Sequence, residues 1–338
     1  MNISSKELAR QLGVSPATVS MVLNNKPGIS KETRELILQA AKEHGFDEKR
    51  AGVFEATQHS FQLIYWRKHG KVMRDTPFFS QVTEGITREC AANNCILNIS
   101  YIYETMDIRT QIRQILSHGC SGILIMATEM EKDDFRWFDD VNIPIVVLDS
   151  CFTGIGYDCV LINNFQGAYD AVRHLLDSGH HTIGHLRSAA PIRNFTERAY
   201  GYYAALGEAG AEAESSRFIH DVTPTSEEGY LEMMEFLRGK PELPDAYFAD
   251  NDIIAAAAMK AFHDSGYHLP EDVSIIGFDN MPLCDIMVPP LSTMNVRKRG
   301  LGATAVKRLI ERIRHPECEI CKIQLDTRLV ERESVRKA

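Results

Sequence analysis

Residues 4–25 read SSKELARQLGVSPATVSMVLNN, and this stretch decides how the rest of the chain is read. Ser4-Ser5-Lys6-Glu7 has the form of a capping box, in which a serine hydroxyl takes a free N–H three residues on and Glu7 reaches back. Leu8, Ala9 and Leu12 then give one apolar helical stripe. Gly13 ends that helix, because only glycine enters the left-handed cap without steric cost. Val14 follows, then Ser15 as the next N-cap and Pro16 at the first helical position. Val19, Val22 and Leu23 form the apolar face of the second helix. Two short helices joined by a turn of about three residues predict a helix-turn-helix. A third helix is predicted from Ser30, after Pro27-Gly28, with Leu36, Ile37, Ala40 and Ala41 as its stripe and Gly45 as its stop.

The face of the second helix opposite its apolar stripe carries Ala17, Ser20, Met21 and Asn24, flanked by Thr18 and Asn25. Short side chains of this kind suit close approach to base edges in a major groove. The same geometry also fits a three-helix bundle that binds nothing.

Charge narrows the choice. The 338 residues carry a net charge of -9, which argues against nucleic acid for the chain as a whole. Residues 1–58, however, hold eight Lys/Arg and seven Asp/Glu, leaving 29 against 39 for the remainder. A nucleic-acid footprint must therefore lie in the first segment. Hydrophobic residues make up 44% and charged residues 25%, the balance of a folded globular chain of two or three domains. No run of roughly 18 uncharged apolar residues is present, and the start lacks the apolar core of a secretory signal, so no membrane partner and a cytoplasmic location are expected. The eight cysteines read as reduced thiols, and the lone Cys318-x-x-Cys321 pair is weak evidence for zinc.

The words Leu-Ala-Arg-Gln-Leu-Gly-Val-Ser-Pro-Ala-Thr-Val-Ser-Met-Val-Leu-Asn (8–24), then Ile-Ser-Lys-Glu-Thr-Arg (29–34) and Ala-Ala-Lys-Glu-His-Gly-Phe (40–46), closely resemble the DNA-binding headpiece of the lactose/galactose-repressor family of bacterial regulators. The resemblance implies base contacts from Pro16, Ala17 and Met21, and phosphate contacts from Ser15, Thr18, Ser20 and Asn25. The family usually has Arg where this chain has Met21, and Met cannot make the bidentate contact to guanine, so a different operator is expected. The family also has Tyr-x-Pro-Asn and a hinge helix after the third helix. Here the segment is Phe46-Asp47-Glu48-Lys49-Arg50-Ala51-Gly52-Val53-Phe54-Glu55. Phe54 is the candidate minor-groove wedge, with packing on the core or a flexible linker as the alternatives.

From about residue 60, apolar runs alternate with helical stretches. The runs are Phe61–Trp66, Ile96–Tyr103, Gly122–Ala127, Ile143–Asp149, Val160–Asn163, Thr182–Leu186, Ala246–Ala249 and Val273–Phe278. Continuous apolar strands separated by helices predict parallel sheets in a doubly wound α/β arrangement, and the number of strands predicts two subdomains. This region resembles the same family through Ile-Pro-Ile-Val-Val-Leu-Asp (143–149), Gly-His-His-Thr-Ile-Gly-His-Leu (179–186), Arg198-Ala-Tyr-Gly201 and Leu269-Pro-Glu-Asp-Val-Ser-Ile-Ile-Gly-Phe-Asp279. The resemblance implies a core like a periplasmic sugar-binding protein, with three chain crossings near 163, 291 and 323. The organisation expected is then a helix-turn-helix headpiece (1–46), a hinge (47–60) and an effector-binding and dimerisation core (61–335). Within the core, subdomain one is 61–163 plus 292–322 and subdomain two is 164–290 plus 323–335.

Ligands of doubly wound folds bind beyond the carboxyl ends of strands. Asp149 ends one apolar run and Asp279 another, Asn251 and Asp252 follow Tyr-Phe-Ala, and Arg198 begins a helix after a loop containing Arg193. Carboxylates and Arg forks clamp vicinal hydroxyls bidentately, and an aromatic face from Phe78 or Phe79 covers an apolar ring side. The resemblance carries effector contacts onto Asp149, Arg198, Asn251 and Asp279, with Phe79 and Arg193 as further candidates. Asp252 reads as the cap of a helix starting at Ile253. No GxSxG, GxxxxGK[ST], HExxH or helix-opening GxGxxG is present, so neither an enzyme nor a cofactor or metal is expected.

The function expected is a transcription regulator, a repressor, controlled by a small-molecule effector, with a sugar favoured. It would act as a homodimer on near-palindromic double-stranded DNA. A purine- or nucleoside-responsive regulator, or a sugar-binding or sugar-modifying protein with a vestigial headpiece, are the alternatives.

Overall fold

The computed structural model describes residues 5–23, 29–43, 58–74 and 76–337. Asn25, Phe54 and residues 47–57 of the expected hinge lie outside the described residues, as does Ser4 of the expected capping box.

The headpiece has three helices, α1 (Ser5–Gln11), α2 (Pro16–Leu23) and α3 (Lys31–Glu43). Gly13 has φ +67°, and the N–H of Val14 reaches back to the carbonyl of Ala9, the six-to-one bond of a glycine-terminated helix. The Ser15 hydroxyl accepts the Thr18 N–H at 3.0 Å and caps α2, and Ser30 repeats the device on Thr33 at 3.2 Å. Leu8, Ala9, Val19, Val22, Ile37 and Ala41 form the small core. Leu36, expected on that core, is 54% exposed instead. At 100° per residue the buried positions of α3 run through Ile37 and Ala41, and Leu36 falls off that line.

The remainder forms two sheets. The strands are β1 (Ser60–Arg67), β2 (Ile96–Tyr103), β3 (Gly122–Met126), β4 (Ile145–Leu148), β5 (Asp158–Ile162), β6 (Ile183–Ser188), β7 (Ile219–Val222), β8 (Ala246–Ala249), β9 (Ser274–Asp279), β10 (Ser292–Asn295), β11 (Lys322–Leu325) and β12 (Arg328–Val330). The helices are α4 (Phe78–Ala92), α5 (Ile108–Leu116), α6 (Asn164–Asp177), α7 (Arg193–Ala209), the short α8 (Glu212–Ser215), α9 (Ser226–Arg238), α10 (Asp252–Asp264) and α11 (Lys298–Arg314). Sheet one has the order β11-β5-β4-β3-β1-β2, with every pairing parallel. Sheet two has the order β12-β10-β9-β8-β6-β7 and is parallel except for the β10–β12 pair.

Sheet one shows why the central strands read as unbroken apolar runs. Successive side chains point to opposite faces, and both faces are covered. Leu63, Leu124, Met126, Val146 and Leu148 enter the core under α4 and α11, while Ile64, Trp66, Ile123, Ile125 and Val147 enter the one under α5. α4 and α11 touch backbone to backbone. A Cβ on Gly85 would sit 2.1 Å from the Arg299 carbonyl oxygen, and one on Gly302 would sit 2.3 Å from that of Val82.

The strands change subdomain at 163, 296–297 and 326–327. The expected crossing at 163 is in place, whereas those expected near 291 and 323 are displaced. β10 lies beside β9 in sheet two, and β11 lies beside β5 in sheet one. Subdomain one therefore takes in α11 and β11, and subdomain two keeps residues 292–295 and ends with β12. The cause is that Ser292-Thr-Met-Asn295 and Lys322-Ile-Gln-Leu325 are too short and polar to declare a sheet, so long-range pairing alone decides their place. The first and third crossings lie side by side, where the Asn163 amide donates to the Asp326 carboxylate at 2.9 Å.

Candidate functional site

The carboxyl ends of the two sheets face each other across a half-open cavity. Five of the six expected effector residues line it: Phe79, Asp149, Arg198, Asn251 and Asp279. Arg193 does not. It is the first residue of α7 rather than part of a preceding loop, and Arg198 lies inside that helix rather than at its start. The Arg193 guanidinium pairs with Glu197 at 2.8 Å and sits over the Phe152 ring of subdomain one, 5.6 Å from its centroid. Arg193 thus spans the cleft beside the cavity.

Asp149 and Asp279 occupy matching places. Asp149 follows β4 and Asp279 closes β9, each with positive φ (+64° and +112°), a conformation that turns the side chain out of the sheet and is costly for a non-glycine residue. Both are buried. Burial pushes the Asp149 carboxyl up to about 6, and its bond from Thr128, the Arg198 charge and the Asn194 amide only partly offset this. Its Oδ2 accepts the Thr128 hydroxyl at 2.6 Å. Its Oδ1 is buried and makes no hydrogen bond of ordinary geometry with the described residues. Burial also raises Asp279, against the charges of Arg198 and Lys298.

Arg198 is 3% exposed and makes three hydrogen bonds to described residues. Its Nε donates to the Asn164 Oδ1 at 2.9 Å, its Nη1 to the Asp250 carbonyl, and its Nη2 reaches the Asp279 carboxylate at 3.4 Å. The guanidinium lies 3.7 Å from the centroid of the Phe278 ring. Behind it, the Lys298 ammonium donates to the Asp279 and Asn280 carbonyls.

The helix cap at β8–α10 belongs to Asn251, not to Asp252 as the spacing suggested. The Asn251 Oδ1 accepts the Ile254 N–H at 2.9 Å, so one face of this cavity residue is already committed. Asp252 instead receives the Thr293 hydroxyl at 2.6 Å and the Met281 N–H at 2.7 Å, and burial beside Asp279 raises it to about 7. Gly277 leaves room for it, since a Cβ there would meet the Asp252 Oδ1 at 2.4 Å.

Phe78 and Phe79 stand edge to face, 5.1 Å apart, and both line the cavity. Sequence reasoning missed Val72, Thr76, Thr128, Ile192, Asn194 and Phe195. Thr128 had a signal, its place just past the apolar run of β3. Asn194 and Phe195 lie one turn before Arg198 on α7. Val72 and Thr76 sit in an irregular segment with no pattern to read. In the headpiece, Ser15, Pro16, Ala17 and Ser20 are exposed and Thr18 and Met21 half-buried, so the six described candidates share the open side of α2.

A helix-turn-helix joined to two parallel-dominated sheets around a polar cavity defines a DNA-binding regulator with an effector-binding core. The family described as "Bacterial regulatory proteins, lacI family" matches residues 5–48, and the periplasmic binding protein-like domain matches 172–335. The HTH-type transcriptional repressor PurR of Mannheimia succiniciproducens is 30% identical over 336 residues, 98% of each chain. PurR of Vibrio atlanticus is 30% identical over 346 residues, again 98% of each. The chain therefore belongs to the LacI family of transcription regulators. A LacI-family regulator from Enterococcus faecium with bound ribose superposes with TM-score 0.71 at 25% identity, over 82% of this chain and 99% of that one. The lac repressor dimer bound to operator and an anti-inducer shares the fold, with TM-score 0.70 at 22% identity over 99% and 100% of the two chains. Among the described residues no helix is long and apolar enough to cross a membrane.

Proposed function

We propose that this regulator is a repressor that binds its operator as a homodimer and is controlled by a sugar held in the cavity between the subdomains. The observation that carries this reading is the Asp149 Oδ1, buried, without a hydrogen bond of ordinary geometry among the described residues, and set in a cavity that Asn194, Arg198 and Asp279 also line. An unpaired buried carboxylate oxygen is costly, and a ligand hydroxyl relieves that cost. Asp149, Asp279 and Arg198 offer acceptors and donors to vicinal hydroxyls, Asn251 adds its amide, and Phe79 covers an apolar ring face. The Enterococcus faecium regulator holds bound ribose, a small sugar. Arg193 acts as a bridge across the closed cleft rather than as a ligand contact.

Ser15, Pro16, Ala17, Thr18, Ser20 and Met21 face the operator, joined by Asn25 and, at the hinge, Phe54. The homodimer gains support from edge strand β2, where Ile99, Tyr101 and Tyr103 stand 45%, 45% and 43% exposed in one row. Its place is the cytoplasm, where operator DNA is found, and its role is binding without turnover. A second reading, a purine or nucleoside effector, draws on the three phenylalanines of the cavity, Phe78, Phe79 and Phe195, whose rings suit stacking on a flat base.

Thermal melting of the full-length protein against pentoses, hexoses, disaccharides, purine bases and nucleosides separates the readings. A ligand that binds the folded state raises the melting temperature with concentration. A sugar should do so, and Asp149→Asn should abolish the rise. A rise with purines alone installs the second reading.

A further inference from the structure

Residues 68–74 and 76 border the cavity from subdomain one. Val72 and Thr76 line it, and Val72 is buried against Ala190, Ile192 and Phe195 of subdomain two. The Thr76 hydroxyl also reaches the Met281 sulfur of that subdomain at 3.9 Å. Met73 is buried in the main core, and Lys68 pairs with Glu104 and Glu131, but the described residues here form no strand or helix, so their backbone amides rely on side-chain support from below.

That support comes from Glu129, which no feature of its sequence neighbourhood suggested. Its side chain is fully buried. One oxygen, Oε2, accepts three successive backbone N–H groups, from Lys68 at 2.9 Å, His69 at 3.2 Å and Gly70 at 2.9 Å. The other, Oε1, faces the His69 Nδ1 at 3.2 Å. A carboxylate gathered by three amides forms charge-assisted bonds, about twice as strong as neutral ones. Gly70, with φ +71°, makes the turn that aims the third amide inward. Thr128, the residue before Glu129, bonds to the cavity carboxylate of Asp149. Adjacent residues therefore hold the effector-facing carboxylate and the segment that covers it.

We propose that Glu129 is a positioning residue of the effector site: it fixes residues 68–74 over the cavity and so sets how long a bound effector stays. The proposal rests on the effector reading of the cleft, and the test keeps the two apart. Hydrogen exchange followed by mass spectrometry on the full-length protein needs no effector. In Glu129→Ala, peptides covering 68–74 should exchange about tenfold faster or more, while peptides from β1 and β3 keep their rates. Glu129→Gln, which retains one acceptor oxygen, should fall between, and it stands in if the alanine variant fails to fold. Unchanged exchange at 68–74, or equal acceleration throughout the subdomain, overturns the proposal. Ribose and cellobiose then serve as probes of retention. Whichever binds the wild type should dissociate about tenfold faster from Glu129→Ala, with recovery in Glu129→Gln, and equal dissociation rates overturn the link to retention. If neither sugar binds the wild type, the sugar reading fails while the exchange result still decides the anchor.

Discussion

The two walls of the cleft are built differently. In subdomain two, Arg198 is held by three hydrogen bonds, Asp252 is bonded on both oxygens, and Asn251 caps a helix. That wall is set before a ligand arrives. In subdomain one, Asp149 leaves one oxygen without a hydrogen bond of ordinary geometry among the described residues, and residues 68–74 beside it form no strand or helix. One wall acts as a rigid template and the other is completed by what it binds. A preorganised half lowers the ordering cost of binding, and an incomplete half gives the ligand something to change.

The comparison makes graded predictions. Arg198→Met should have the largest effect, because it leaves Asp279 buried and unpaired. A loss of about 3–5 kcal/mol in denaturant unfolding is expected, together with loss of effector binding. A drop under about 1 kcal/mol would show that the second wall is not a template. Asp149→Asn should behave in the opposite manner. It should cost about 2–3 kcal/mol of effector affinity by calorimetry while leaving stability unchanged or raised near neutral pH, because it removes a buried charge rather than a partner.

Gly302→Ala probes the scaffold behind the first wall. The added Cβ pushes α11 off α4, the helix that carries Phe78 and Phe79, and about 1–3 kcal/mol of stability should be lost. An unchanged melting temperature would contradict the close crossing.

The smallest effect is a pH dependence. Folded Asp149 holds its proton up to about 6, against an ordinary value of 3.8. The folded state therefore carries more protons across that interval, and stability falls as pH rises through it. Asp149→Asn should flatten that fall. Effector affinity should run the other way and rise through about pH 6, because the ionised carboxylate is the better acceptor, and the rise should vanish in the same variant.

The same contrast explains what the sequence disclosed. The headpiece was legible because its signals are local: Gly13 at a left-handed cap, Ser15 and Ser30 over free N–H groups, and apolar residues at helical spacing. The central strands were legible because burial on both faces demands unbroken apolar runs. Asp149 and Asp279 were singled out because they end such runs, and both line the cavity. β10, β11 and β12 were missed because they are short and polar, and β11 takes its place beside β5, 163 residues earlier in the chain. The cap fell to Asn251 rather than Asp252 because either side chain can cap a helix, and Thr293 and the Met281 N–H, distant in sequence, occupy the Asp252 carboxylate. Val72 and Glu129 were invisible because loop shape has no period.

The central claim is that a headpiece reading DNA is joined to a cleft reading a small molecule. The most direct test is selection of random duplex DNA by the full-length protein at moderate salt, followed by sequencing of the bound pool. The account predicts an enriched near-palindrome whose half-sites match the two-fold symmetry of a dimer. It also predicts that the half-site changes when Met21→Arg restores a guanine-reading side chain. A pool with no enriched sequence would contradict it.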